Sequence, residues 1–224
     1  MPSIGSLISL LPLLVKGFGV TLLLAGLSIG FGTIFGLLLG SLYAWGSRLV
    51  RALLFVLVTI VRGMPVVVQV FAVFFVLPAY GIKFSAVTSA AISLTLFASF
   101  TIMEIVRGGI EAVPREQFQA ALSLGFSNVG AMTTVVLPQA MRSMMPSLVN
   151  QAMVKATSVV SLFGVTEFLY VAKEQIERTL MGFEIMAIVW VAYTLVCYPL
   201  TVLGRWFEAR LKARGQTALA SAGL

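Results

Sequence analysis

Histidine and aspartate are both absent from this 224-residue chain, and its one cysteine, Cys197, lies within an apolar run. No histidine means no imidazole general base, and a lone cysteine closes no disulfide within the chain and builds no Cys/His zinc set. The lack of aspartate removes the intramembrane aspartate pair of a membrane protease and the aspartate that holds Mg²⁺ at a strand end. There is also no G-x-x-x-x-G-K-[ST] phosphate loop. The sequence is therefore expected to carry no catalytic residues, bind no cofactor or metal of its own and hydrolyse no nucleotide. Charge is scarce as well: 10% of residues are charged against 59% apolar, with a mean hydropathy of +1.04. That leaves too little polar surface to cover a globule in water, so lipid must be part of the solvent.

Five apolar stretches read as spans: Gly17 to Trp45, Ala52 to Pro78, Ala86 to Val106, Pro146 to Val165, and Ile185 to Leu203. They predict an all-α membrane protein with a single transmembrane domain over 1–215 and a small, polar, disordered tail over 216–224. Met1 to Val15 is apolar but interrupted by Pro2, Gly5 and Pro12, and lacks the basic start and A-x-A site of a signal peptide, so it reads as an interfacial helix. The net charge of +7 comes from residues at span ends, not from one basic patch interleaved with aromatics, which points to lipid and away from nucleic acid. Arg48, Arg51, Arg107, Arg115, Arg142, Arg205, Arg210, Lys212 and Arg214 fall on one side, which the positive-inside rule makes cytoplasmic. The N-terminus is then outside, the C-terminus inside, and the 108–141 connection cytoplasmic. In the first span, Gly26-x3-Gly30 and Gly32-x3-Gly36-x3-Gly40 place small residues one turn apart, as for close helix packing within the bundle or on a dimer face.

The 108–141 connection has its own start and stop signals. Pro114 suits the first position of a helix, and Glu116 falls where the dipole favours an anion. Gly125 is placed to end that helix in the left-handed conformation, and Pro138 to end a second helical stretch that follows Ser127. Ala120 and Ala121 give a smooth surface that a partner's backbone can approach.

Ionisable or amide residues inside spans are costly in lipid, by about 2.5–3.5 kcal/mol for a charge at the centre, so they face the bundle interior or water. Arg62 and Glu104 read as an internal pair or a contact near a cytoplasmic gate. Gly63 and Pro65 weaken the second span beside Arg62 and predict a kink there. In the fourth span, Gln151, Lys155 and Ser158 lie at i, i+4 and i+7, with Asn150, Thr157 and Ser161 on an adjacent stripe. Such a face lines either a pathway or a polar helix interface.

The run Gln119-Ala120-Ala121-x3-Gly125-x9-Val135-x-Leu137-Pro138 resembles the "EAA" loop of ATP-binding-cassette importer permeases. Arg62-Gly63-Met64-Pro65-Val66-Val67-Val68-Gln69 and Glu104-Ile105-Val106-Arg107-Gly108-Gly109-Ile110 are similar to segments of the polar amino-acid branch, the histidine/glutamine/arginine permease-like family. So are Leu137 to Arg142, Pro146 to Asn150 and Lys155 to Val160. The resemblance implies a type I importer permease fold in a bacterial inner membrane. Phe118, Gln119, Ala120, Ala121, Leu122 and Gly125 would form the coupling helix that docks on the nucleotide-binding subunits. Arg62, Gln69, Glu104, Asn150, Gln151, Lys155, Thr157, Ser158, Ser161 and Glu167 would be candidates for the translocation pathway.

The resemblance also implies two ATP-binding subunits that hold ATP and Mg²⁺, an extracytoplasmic binding protein meeting Phe168 to Met181, and a second permease subunit. Two departures are plain: Gln119 stands where the family has glutamate, and Ala156 where it has aspartate. The second favours a heterodimer whose other permease carries the fuller pocket, with a homodimer as the alternative. Two other functions fit the composition: an ion-coupled secondary transporter, which would be expected to show midplane carboxylates and repeat symmetry, and an adaptor that docks a cytoplasmic partner without transport.

Overall fold

The computed structural model describes residues 4–151, 161 and 164–221. All regular structure among the described residues is helical. Three helices are long and apolar enough to cross a bilayer: Ile8–Trp45, Ala86–Glu111 and Gly182–Trp206. A fourth crossing is available if the bent pair Arg48–Gly63 and Val66–Ala79 counts as one span. The expected fourth span, Pro146 to Val165, falls largely outside the described residues.

The first helix, α1 (Ile4–Trp45), is one element of 42 residues with Pro12 inside it. This corrects the expectation of a separate interfacial segment before Gly17. Packing overrides the proline: Leu10 and Leu14 are buried against Phe168, Ala172 and Ile185, on the same helical face that continues through Gly17, Thr21 and Leu24. At 1.5 Å per residue the helix is about 63 Å long, roughly twice the hydrocarbon thickness, so part of it lies beyond the lipid core.

Farther along that face, α1 meets α4 (Ala86–Glu111), its most extensive partner. A Cβ on Gly32, Gly36 or Gly40 would lie 2.5–2.6 Å from Ala98, Ile102 or Val106, respectively, closer than side chains tolerate. That triplet therefore serves the bundle interior, while Gly26 and Gly30 face open space. α2 (Arg48–Gly63) is capped by the Ser47 hydroxyl, which accepts from Val50 N, and buries Leu54 and Val58 against Met103 of α4. α3 (Val66–Ala79) follows after a 99° bend, far sharper than a proline kink, and places Val70 in a cluster with Leu24, Ala90, Leu94 and Val165.

Beyond α4, a short helix α5 (Arg115–Ser123) leads into α6, continuous over 128–151. This corrects the expectation that Pro138 ends the stretch after Ser127. Immediately before the proline, Met132–Val136 forms a π-helical turn in which Leu137 N–H donates to the Met132 carbonyl. Widening the turn makes room for the proline ring, which in a regular helix would press on the carbonyl four residues back. The same device precedes Pro78, where Ala72–Val76 is π-helical and Leu77 N–H donates to the Ala72 carbonyl. α6 packs on α4 through Ile102, Val106, Ala140 and Met144. α7 (Phe168–Thr179) lies on the N-terminal part of α1, where Gly17 allows the backbone at Glu167 and Phe168 to approach. α8 (Gly182–Ser221) is helical past residue 215, where the sequence reading begins a disordered tail.

Candidate functional site

Helix α5 stands beyond the ends of α1 and α4, and its geometry follows from a few residues. Pro114 (φ −57°, ψ 136°) occupies the cap position, one residue earlier than the sequence suggests, with Glu116 in the first turn. The other end closes as a Schellman turn: Gly125 has φ +87°, its N–H donates to the Leu122 carbonyl (3.0 Å), and Phe126 N–H donates to that of Ala121 (3.1 Å). Only glycine adopts that φ without strain, which is why the chain can reverse there. Two residues on, the Ser127 hydroxyl accepts from Gly130 N (3.1 Å) and starts α6.

The candidate docking residues separate into two faces. Phe118 is half-buried and lines a cavity of about 490 Å³ together with Trp45, Arg51, Asn128 and Met132. Ala121 is 3% exposed, turned toward α6, which corrects the expectation that both alanines form the outer surface; residues three apart share a helix face, and Phe118 and Ala121 share the inner one. Gln119, Ala120, Leu122 and Gly125 are exposed. Leu124, Phe126 and Val129, at 80%, 41% and 61% exposure, extend that outer surface with apolar side chains the motif does not include.

Arg62 and Glu104 are brought together as expected, with Arg62 Nη1 3.7 Å from Glu104 Oε1. Glu104 is held more tightly by its own helix: Arg107 Nη2 donates to Oε1 (2.5 Å) and Arg107 Nε to Oε2 (2.9 Å). Arg107 also donates to Glu111 (2.6 Å), whose other oxygen accepts from the Tyr43 hydroxyl (3.0 Å). Arg51 stacks over the Tyr43 ring (5.9 Å) and donates to the Ala44 carbonyl (2.9 Å). A chain of charge and hydrogen bonds thus joins α1, α2 and α4. Sequence reasoning missed Tyr43, Arg51, Arg107 and Glu111 as members. The i, i+3 and i, i+4 spacing of Glu104, Arg107 and Glu111 is the signal that could have found the last two of them.

Gln69 is 8% exposed, and its Nε2 donates to the carbonyls of Val61 (2.5 Å) and Met64 (3.2 Å) across the elbow. Glu167 has no exposed surface. One of its oxygens accepts from Tyr170 N (3.0 Å) and the other from the Thr21 hydroxyl (3.0 Å), which itself accepts from Phe168 N (3.0 Å). Expected as a cargo contact, Glu167 works here as the cap that fastens α7 to α1. Gln151 is half-buried at the end of α6 and Ser161 is buried. Lys155, Ala156, Thr157 and Ser158 lie outside the described residues, as does the side chain of Asn150, so the polar stripe is visible only at its two ends.

A family model described as binding-protein-dependent transport system inner membrane component matches residues 32–213. The probable glutamine ABC transporter permease protein GlnP of Bacillus subtilis (strain 168) is 33% identical over 205 residues, covering 89% of this chain and 94% of that protein. The glutamine transport system permease protein GlnP of Escherichia coli (strain K12) is 32% identical over 206 residues, covering 90% and 94%. Among solved structures, the crystal structure of an amino acid ABC transporter with histidines aligns at a TM-score of 0.85 and 28% identity, covering 94% of this chain and 99% of that one. An inward-facing MetNI methionine ABC transporter shares the fold at a TM-score of 0.71 and 20% identity, covering 90% and 97%. With its multiple apolar helices, its exposed turn-bounded helix at one end and these matches, the chain belongs to the binding-protein-dependent transport system inner membrane components, the multi-pass permease subunits of bacterial ABC importers.

Proposed function

We propose that the chain forms, together with a second permease subunit, the translocation pathway for a polar amino acid or close analogue, and that energy enters through α5 from two ATP-binding subunits that hold ATP and Mg²⁺. The observation that carries this reading is the exposed apolar set Leu122, Leu124, Phe126 and Val129 around the Gly125 turn. Contiguous apolar surface outside the lipid marks a protein contact. Closure of the ATP-binding subunits displaces α5. Phe118 and Ala121 pass that displacement to α6, and α6 leads directly into the polar stripe at Gln151.

The substrate class rests on the names of the relatives, two glutamine permeases and an amino acid transporter crystallised with histidines. A heterodimer is favoured over a homodimer because Ala156 lacks the carboxylate that could hold an amino group. α8 offers surface for that second subunit, since its most apolar stretch is far less buried than that of α4. α7, at the end of α1 opposite α5, carries Lys173, Glu177 and the Glu174–Arg178 pair (2.6 Å) to meet an extracytoplasmic binding protein. The N-terminus is then outside, in keeping with the distribution of Lys and Arg.

Replacing Leu124 by glutamate tests the docking role, because it puts a charge into the centre of the proposed contact. The ATP-binding subunits should no longer co-purify with the permease in detergent, while the variant still inserts in the membrane. Retained co-purification with unchanged uptake would refute the docking role.

A further inference from the structure

The elbow between α2 and α3 raises the question of what satisfies its backbone. In a regular helix the N–H of residue 65 would donate to the Val61 carbonyl, but Pro65 has none. The ladder stops one step earlier, with Met64 N–H on the Ile60 carbonyl (3.2 Å), and resumes with Val68 and Gln69 N–H on the Pro65 carbonyl (2.9 and 3.3 Å). The carbonyls of Arg62 and Gly63 also lose their helical donors at this 99° bend, and those of Val61 and Met64 are left over in an apolar segment, where an unpaired carbonyl is costly. Gln69 Nε2 reaches both, at 2.5 and 3.2 Å.

We propose that Gln69 is a positioning residue: its side-chain amide supplies the hydrogen bond that Pro65 removes, holds the elbow bent, and acts on transport by placing Arg62 against Glu104, not by touching the cargo. Pro65 and Gln69 are then one device, a proline that opens the ladder and an amide four residues later that closes it from the side. Arg62 follows Val61 directly, so the carbonyl that Gln69 fixes is adjacent to the residue whose guanidinium reaches Glu104 at 3.7 Å. That pair is longer than the Arg107–Glu104 contacts on α4. Arg62 can therefore leave Glu104 when the elbow moves, while Arg107 keeps the carboxylate paired.

The transport part of this inference rests on the proposed function; the geometric part does not. The test uses the whole complex in nanodiscs with Cys197 replaced by serine and spin labels at positions 57 and 75, where Leu57 and Phe75 are about half exposed. From the rise per residue and the 99° bend, the backbones at these positions stand about 18 Å apart bent and would stand about 27 Å apart straight. Gln69→Leu should broaden the distance distribution about twofold and lower the maximal rate of ATP-driven L-glutamine uptake on the order of tenfold, the scale for leaving buried acceptors unpaired. Its KM should stay within about twofold, since no cargo contact is lost. Pro65→Ala in the Gln69→Leu background returns the missing N–H, so the distribution should narrow and move to the longer distance. An unchanged distribution in Gln69→Leu together with a raised KM would overturn the proposal in favour of a cargo contact. A double variant indistinguishable from Gln69→Leu would overturn the link to Pro65. The distance measurements need neither cargo nor ATP, so they stand apart from a failure of the proposed function itself.

Discussion

Pro65 and Pro138 both interrupt apolar helical segments, yet the first turns the chain by 99° while the second leaves α6 continuous. The difference lies in what surrounds each ring. Before Pro138 the helix widens by one residue over Met132–Val136, and Gln139 Nε2 donates to the Val135 carbonyl (2.9 Å), so the axis is kept. Before Pro65 stands Gly63, which weakens the helix, and Met64 leaves it altogether (φ −86°, ψ 136°), as the residue before a proline tends to do. Proline alone therefore does not decide between a span that bends and one that continues. A glutamine amide donates to a backbone carbonyl at both prolines; what differs is the neighbouring glycine with the extended Met64 at one, and the π-helical turn at the other.

Introducing or removing prolines tests this contrast most severely. The largest effect is expected from Gly125→Pro, because a ring that fixes φ near −65° cannot occupy a position at φ +87°, and neither a π-helical turn nor a side-chain donor is at hand to absorb it. Uptake should be lost, with membrane insertion intact by protease protection; undiminished uptake would remove the Gly125 turn from the coupling route. Next in size is Glu104→Gln, which leaves Arg62 and Arg107 without their shared carboxylate and frees the elbow from α4 without altering its backbone. Uptake should fall on the order of tenfold, and a charge-reversed Arg62→Glu/Glu104→Arg pair should recover less than half of it, because Arg107 remains. Pro138→Ala restores an ordinary helical hydrogen bond, so it should raise stability by up to about 3 kcal/mol, the cost of proline in a helix interior, and leave uptake within twofold. A large loss would mean that the π-helical turn itself moves during transport. The smallest effect is assigned to Gly30→Ala, at a glycine facing open space, which should stabilise by up to about 1 kcal/mol, whereas the same change at Gly36 should destabilise through its 2.6 Å approach to Ile102. Thermal unfolding in detergent distinguishes the two.

Much of helix α5 and the turns that bound it was legible from residue type. Glu116, Gly125 and Ser127 each mark a helix end by a property of a single residue, and each holds its place in the structure. The pairing of Arg62 with Glu104 was legible too, because two opposite charges in apolar spans have few other partners. Pro12 and Pro138 misled for one reason: the helix persists when packing on both sides of the proline outweighs one missing hydrogen bond, and packing partners such as Phe168 for Leu10 and Leu14 are distant in sequence. The glycine stripe announced close packing but not its partner. That partner became visible only once Ala98, Ile102 and Val106 were found against it. Ala121 was expected on a docking surface and Glu167 against the cargo, whereas both are buried in contacts between helices, and burial is a property of the assembled bundle.

The central claim is that this chain moves its cargo only when a partner's ATP hydrolysis acts on α5. Proteoliposomes holding the permease, its ATP-binding subunits and the binding protein, loaded inside with Mg-ATP or with Mg-ADP, test it with radiolabelled L-glutamine and a panel of polar amino acids outside. Uptake of at least one of them with Mg-ATP, absent with Mg-ADP and absent when Gly125→Pro is introduced, is the result expected. Equal uptake with either nucleotide, or uptake driven by an ion gradient alone, would contradict it.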